Sequence, residues 1–244
     1  MLRLDKKVAI ITGATSGIGL KTAERFIEEG AITVLAARRV DEGRLIQKKL
    51  GDRSFFIETD VTNEVDIKNL VSETVDRFGR IDAFFSNAGA GGVLKSITDI
   101  EVSEFESAVD ILVKNVFFCY KHVIPEMKSS GGGSIVANAS VAATLGGFSS
   151  HLYSALKAAV VSLTRSVAIE VAESNIRVNT VSPGGIATGI FGKSRGMTDS
   201  EADDVAIRVA KVFESRQPIP RAGASEDIAN AVLFLCSDEA SFIT

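Results

Sequence analysis

Cysteine and histidine are scarce: the 244-residue chain holds two of each. Cys119 and Cys236 fall in apolar, helix-like runs. That argues against a disulfide framework and fits a reducing compartment. His122 and His151 share no metal-ligand spacing with either cysteine, so no metal site is expected. Charge of one sign is also lacking. The formal net charge is -4 and the basic residues are scattered, which argues against nucleic acid or an anionic membrane as partner. No membrane-spanning apolar run is present, and the start, Met1-Leu-Arg-Leu-Asp-Lys-Lys, has no signal-peptide core. A soluble, cytoplasmic protein is therefore expected. Repeats, low-complexity tracts and interdomain linkers are missing as well. One domain over residues 1–244 is the expectation, long enough to bury a substantial core.

What the chain does have is an alternation of short apolar runs with amphipathic stretches. Strands are expected at Val8–Thr12, Thr33–Ala36, Phe55–Glu58, Ala83–Ser86, Ser134–Ala137 and Arg177–Val181. Helices are expected at Gly17–Glu29, Asp41–Leu50, Glu64–Phe78, Glu104–Met127 and Tyr153–Val171. Continuously apolar strands separated by helices imply an α/β fold, a doubly wound parallel sheet covered on both faces. Its binding crevice then lies at the C-terminal edge of the strands. The segment Ile186–Glu214 breaks the rhythm; a lid over the site and a plain surface helix fit it equally.

The first strand runs into Thr12-Gly-Ala-Thr-Ser-Gly17-Ile-Gly19 and then directly into a helix. Glycines let the backbone turn and approach a pyrophosphate, and a helix N-terminus offers free N–H groups and a positive dipole. Gly13, Thr15, Ser16, Gly17, Ile18 and Gly19 are thus candidate contacts to a dinucleotide, although such a loop alone can be a mere turn. At the end of the second strand an acidic residue would pair with the ribose 2′-hydroxyl of NAD. Ala37 stands there, followed by Arg38 and Arg39. Guanidinium binds phosphate, so NADP(H) is favoured and NAD(H) stays open. Asp60, at the end of strand three, and Asn87-Ala88-Gly89 are candidates for the adenosine side, with ordinary turn chemistry as the alternative.

Tyr153-Ser-Ala-Leu-Lys157 opens a helix, and its i,i+4 spacing puts phenol and ammonium one turn apart on one face. Lowering a tyrosine from about 10 toward 7 takes roughly 4 kcal/mol, a task for Lys157 together with an oxidised nicotinamide. Ser140, closing the run Val136-Ala-Asn-Ala-Ser140, offers a hydroxyl to a reacting oxygen.

Taken in order, Thr-Gly-x3-Gly-x-Gly, Asp60-Val61, Asn87-Ala-Gly89, Ser140, Tyr153-x3-Lys157 and Pro183-Gly-Gly-Ile-Ala-Thr188 resemble the short-chain dehydrogenase/reductase family over nearly the whole chain. The resemblance implies a Rossmann domain binding NAD(P)(H) and interconverting a secondary alcohol and a carbonyl. Tyr153 is then the acid/base group, Ser140 orients the substrate oxygen, and Lys157 holds the nicotinamide ribose. Val61, Pro183, Gly184, Ile186 and Thr188 become further cofactor contacts, with Thr188 on the carboxamide. A homodimer or homotetramer is also implied. The sequence departs from the family in two places. Leu112 occupies the place of the asparagine that anchors a proton-relay water, and Asn115 lies about 60° round an ideal helix from it. The family pattern also predicts a Gly and a final strand ending Val-Asp-Gly-Gly beyond Thr244, so either the chain is incomplete or that sheet edge differs. Val93, Leu94, Leu145, Phe148, Ile190 and Phe191 flank the expected site and favour an apolar or cyclic ketone. Two alternatives stay open: an NAD-dependent alcohol dehydrogenase, and a non-catalytic dinucleotide sensor on the same fold.

Overall fold

All six apolar runs form strands, with ends within one residue of expectation: β1 (Val8–Thr12), β2 (Ile32–Ala37), β3 (Ser54–Glu58), β4 (Ala83–Ser86), β5 (Gly133–Asn138) and β6 (Ile176–Val181). The computed structural model describes residues 2–193 and 197–244; the side chains of Phe191, Lys193, Asp199, Ser200, Ala202 and Asp203 lie outside the described set. The strands form one sheet in the order β3-β2-β1-β4-β5-β6, with every pairing parallel. The direction in which strands are added to the sheet reverses between β1 and β4, and this opens a crevice above their C-terminal ends.

Alternate residues of each strand feed opposite faces, which explains why the strands read as continuously apolar. Ile10, Val34, Phe84 and Ile135 pack under α3 (Glu64–Phe78), α5 (Asn115–Ser129) and α6 (His151–Val171). Ala9, Ile11, Leu35, Phe85 and Val136 pack instead on α1 (Gly17–Glu28), α2 (Val40–Leu50) and α9 (Ser225–Cys236). A fully buried phenylalanine such as Phe84 or Phe85 contributes about 1.5–3 kcal/mol. No helix among the described residues is long and apolar enough to cross a membrane.

The expected helix Glu104–Met127 is in fact interrupted. It comprises α4 (Val102–Val109), a π-helical turn at Asp110–Lys114, and α5. The backbone N–H of Asn115 reaches back five residues to the Asp110 carbonyl. Such a widened turn changes which side chains share a face, so the 60° reckoning between Leu112 and Asn115 does not apply here. Leu112 is buried in a small third cluster with Ala108, Leu152 and Leu156, against which Val93 and Tyr153 pack. That cluster braces the start of α6 over the crevice.

After β6 the chain makes its excursion through α7 (Ile190–Lys193) and α8 (Asp199–Glu214). Thr198 and Glu201 form a capping box at the start of α8. Along the outer edge of β6, Val178 donates its backbone N–H to the Thr244 hydroxyl and Asn179 donates its side-chain amide to the Ile243 carbonyl.

Candidate active site

The β1–α1 turn is shaped by its glycines. Gly13 and Gly17 adopt φ of +64° and +54°, conformations an L side chain rarely takes. At Gly19 a Cβ would collide with the Gly13 carbonyl oxygen. Ser16 caps α1 in an extended conformation without a side-chain hydrogen bond, and the first turn carries no acidic residue. The helix therefore presents unopposed N–H groups and a positive dipole, a cradle suited to a pyrophosphate. Ala14 and Thr15 are buried beneath it.

At the end of β2, Ala37 is buried and Arg38 is exposed. Arg39 is engaged: its Nε lies 2.5 Å from Glu42 Oε2. Arg38 is therefore the better placed of the two expected phosphate ligands. Burial raises the Asp60 carboxyl, but hydrogen bonds from the Thr62 N–H and hydroxyl and the Arg38 charge outweigh it, leaving the group below its ordinary value. Val61 is buried in the main core.

A polar chain joins the ends of β1, β4 and β5. The Thr12 hydroxyl accepts from the backbone N–H groups of Asn87 and Ala88, each at 3.0 Å. The Asn87 side chain donates to the Thr12 carbonyl at 3.0 Å and accepts from Asn138 Nδ2 at 3.0 Å. Asn138 in turn accepts through its backbone carbonyl from Lys157 Nζ at 2.6 Å. Burial lowers the Lys157 ammonium to about 8. Asn138 is a site residue the sequence reading passed over, although a lone polar side chain two residues before Ser140 was the signal for it.

Lys157 and Tyr153 face one cleft with Ser140, Asn87, Gly89, Pro183, Gly184, Ile186 and Thr188. Ile18, Ala90, Asn138, Ala139 and Ile190 complete its lining. Burial pushes the Tyr153 phenol up, and the nearby Ser140 side chain opposes only part of that. The Lys157 ammonium, expected to lower it together with an oxidised nicotinamide, is not among the groups that shift it here. The Lys157 Nζ lies 5.7 Å from the ring centroid and donates to Asn138 instead. Gly89 stands against Leu112 and the Lys157 ammonium, and so belongs to this end of the cleft. Asn115, although buried, directs its amide to the carbonyls of Ile111 and Ala88, and its Oδ1 has no partner among the described residues.

The opposite wall is the stretch Pro183–Thr188. The Pro183 carbonyl accepts from the Val141 N–H at 3.0 Å, tying the wall to the residue after Ser140. The Thr188 side chain borders Gly17 at the start of α1. Among the apolar residues expected near the substrate, Ile190 lines the cleft, and Leu94, Leu145 and Phe148 are exposed. The side chain of Phe191 lies outside the described residues. His151, the first residue of α6, is exposed. Among the described residues no group of three or more His, Cys, Asp or Glu could hold a metal ion.

The family model described as Enoyl-(Acyl carrier protein) reductase matches residues 13–244. Secoisolariciresinol dehydrogenase of Forsythia intermedia is 39% identical over 244 residues, spanning 99% of this chain and 86% of its own. The chain belongs to the short-chain dehydrogenase/reductase family. The 7alpha-hydroxysteroid dehydrogenase of Escherichia coli K12 is 34% identical over 246 residues, covering 100% of this chain and 92% of that one. The crystal structure of levodione reductase superposes with a TM-score of 0.89 at 32% identity, covering 99% of this chain and 95% of that chain. This family member is therefore an NAD(P)-dependent oxidoreductase with the doubly wound parallel sheet expected from its sequence.

Proposed function

We propose that this enzyme interconverts a secondary alcohol and its ketone, with NADP(H) as partner and a neutral alicyclic compound as substrate. The observation that carries the reading is the meeting of Tyr153, Ser140 and Lys157 in one cleft with the backbone of Gly89 and the wall ending at Thr188. The dinucleotide would be held by the Gly13–Gly19 turn, Arg38, the Asn87–Gly89 stretch, Lys157 and Thr188. The start of α1, with no side-chain cap and no acidic residue in its first turn, supports the fit, and the packing of Gly19 on the Gly13 carbonyl holds the turn in that shape.

When bound, the dinucleotide supplies or accepts the hydride at the carbinol carbon. The chain's own residues manage the oxygen. Ser140 donates a hydrogen bond to the substrate oxygen and fixes its position. Tyr153 delivers its phenolic proton to that oxygen in reduction and takes it back in oxidation, a step worth about 10²–10⁴-fold. Burial raises the phenol, so a deprotonated Tyr153 requires help from charges brought in with the cofactor. Lys157 contributes a buried ammonium aligned by Asn138.

The substrate class rests on the apolar lining from Ile18, Ile186 and Ile190. It rests also on relatives named for ring alcohols, a (+)-borneol dehydrogenase from Salvia officinalis among them. The ion pair of Arg39 with Glu42 favours a second reading, NAD-dependent oxidation, because it withdraws one of two expected phosphate ligands.

A panel of cyclic ketones and alcohols, followed by nicotinamide absorbance with NADPH, NADH and both oxidised forms, tests all of this. Turnover of a ring ketone with NADPH is expected. Faster turnover with NAD⁺ supports the second reading, and dinucleotide binding without turnover of any member points to a sensor.

A further inference from the structure

Gln217 lies outside the cleft, beyond the end of α8, yet its side chain grips the backbone behind the cleft wall. Its Oε1 accepts from the Gly185 N–H at 3.0 Å, and its Nε2 donates to the Gly185 carbonyl at 3.2 Å and to the Arg221 carbonyl at 2.7 Å. One primary amide thus satisfies both polar groups of one residue, as a neighbouring strand would.

The surroundings leave Gly185 little freedom. A Cβ there would run into the Phe213 ring, and a Cβ on Gly223 would run into the Ile186 side chain. The Gly185 carbonyl also accepts from the Gly223 N–H at 2.9 Å, and the Gly223 carbonyl accepts from the Ala187 N–H at 2.9 Å. Beyond Gln217, Arg221 pairs bidentately with Asp227 at 2.6 and 2.8 Å, on the first turn of α9. The two ends of the excursion are therefore stapled together beside the wall, and the staple is anchored on α9.

We propose that Gln217 is a positioning residue: its amide fixes the Pro183–Thr188 wall and so sets the nicotinamide end of the cofactor site. This rests on the reading of that wall under the proposed function. The wall runs from Pro183, bonded to Val141 beside Ser140, to Thr188, bordering Gly17. Loosening Gly185 in its middle moves one end of the binding site relative to the other. Proton transfer at Tyr153 is left alone, because Gln217 touches none of the reacting groups.

The test compares the full-length parent with Gln217→Leu, which removes all three bonds, and Gln217→Glu, which keeps the shape and the acceptor but loses both donors. Amide hydrogen exchange at Gly185 and Ala187 reads the staple, titration with NADP⁺ reads the site, and kcat at saturating cofactor reads the chemistry. In Gln217→Leu the exchange should rise and the Kd for NADP⁺ should rise about tenfold, the loss expected for one or two net hydrogen bonds. The kcat at saturation should stay within about twofold, because binding lost equally from ground and transition states leaves it unchanged. Gln217→Glu should fall between the two at Gly185, where its acceptor survives. Unchanged exchange, or faster exchange with unchanged Kd, overturns the proposal. If the parent itself binds no dinucleotide, the cofactor reading fails, and exchange at Gly185 alone then decides whether the wall depends on Gln217.

Discussion

The cleft has two walls, and they are held by different means. On the β1 side, Thr12 at the foot of the Gly13–Gly19 turn is tied to Asn87, Asn87 to Asn138, and Asn138 to Lys157 of α6, through bonds of 2.6–3.0 Å. Glycines there bring backbone against backbone, and a methyl group at Gly19 has nowhere to go. On the far side, Pro183–Thr188 meets a chain arriving from α8 and is pinned by the partly buried amide of Gln217. The first wall is built into the sheet, whereas the second is clipped to it. Substitutions on the first should therefore act on the site abruptly, and those on the second gradually.

Four changes sharpen this contrast, beginning with the largest effect. Tyr153→Phe removes the proton carrier while leaving both walls in place. Turnover should fall by about 10²–10⁴-fold with dinucleotide Kd nearly unchanged; near-parental kcat would disprove the assignment. Gly19→Ala strikes the rigid wall directly. Dinucleotide affinity should drop by roughly 100-fold, or about 2.7 kcal/mol, as measured by calorimetric titration. Gly146→Ala serves as control, since no atom lies within 4 Å of its added Cβ; equal losses in both variants would refute the steric account.

Lys157→Met separates function from stability in the same wall. With the ammonium lowered by burial to about 8, below the ordinary lysine value of about 10.4, the charged form is the costly one in the folded state. Below about pH 8 both folded and unfolded chains hold the proton and the cost is fully present; it fades as pH rises toward about 10.4. The variant should lose activity yet unfold at higher denaturant near pH 7. A gain of about 1–3 kcal/mol is expected, after the lost bond to Asn138 is subtracted, and it should shrink above pH 8. A variant less stable than the parent at pH 7 would contradict this sign. The smallest effect belongs to the margin of the site. Arg38→Ala should weaken NADPH by about 10–100-fold and spare NADH, and equal parental affinities for the two would defeat the 2′-phosphate reading.

Much of this molecule was legible before folding was considered. The six strands and helices α1, α2, α3 and α6 follow from local periodicity, because a strand that must bury both faces has to be apolar at every position. The Gly-rich turn and the Tyr153–Lys157 pair were also legible, since their geometry depends on a few neighbouring residues in one element. The π-turn was not. It is a single extra residue accommodated where Leu112 packs on Leu152 and Leu156 while the Asn115 amide reaches Ala88, contacts that a continuous helical pattern does not disclose.

Sequence by itself determined the six strands, the order of the strands and helices it disclosed, and the functional groups available at Ser140, Tyr153 and Lys157. Tertiary structure alone decided which partner each polar group took. Lys157 turned to the carbonyl of Asn138, and Gln217 to Gly185, 32 residues earlier in the chain. It also decided that Tyr153 is raised by burial. The reason is physical. Periodicity is set by the backbone and acts over one or two turns, whereas pairing and desolvation depend on side chains that meet only once the sheet is assembled and water is excluded.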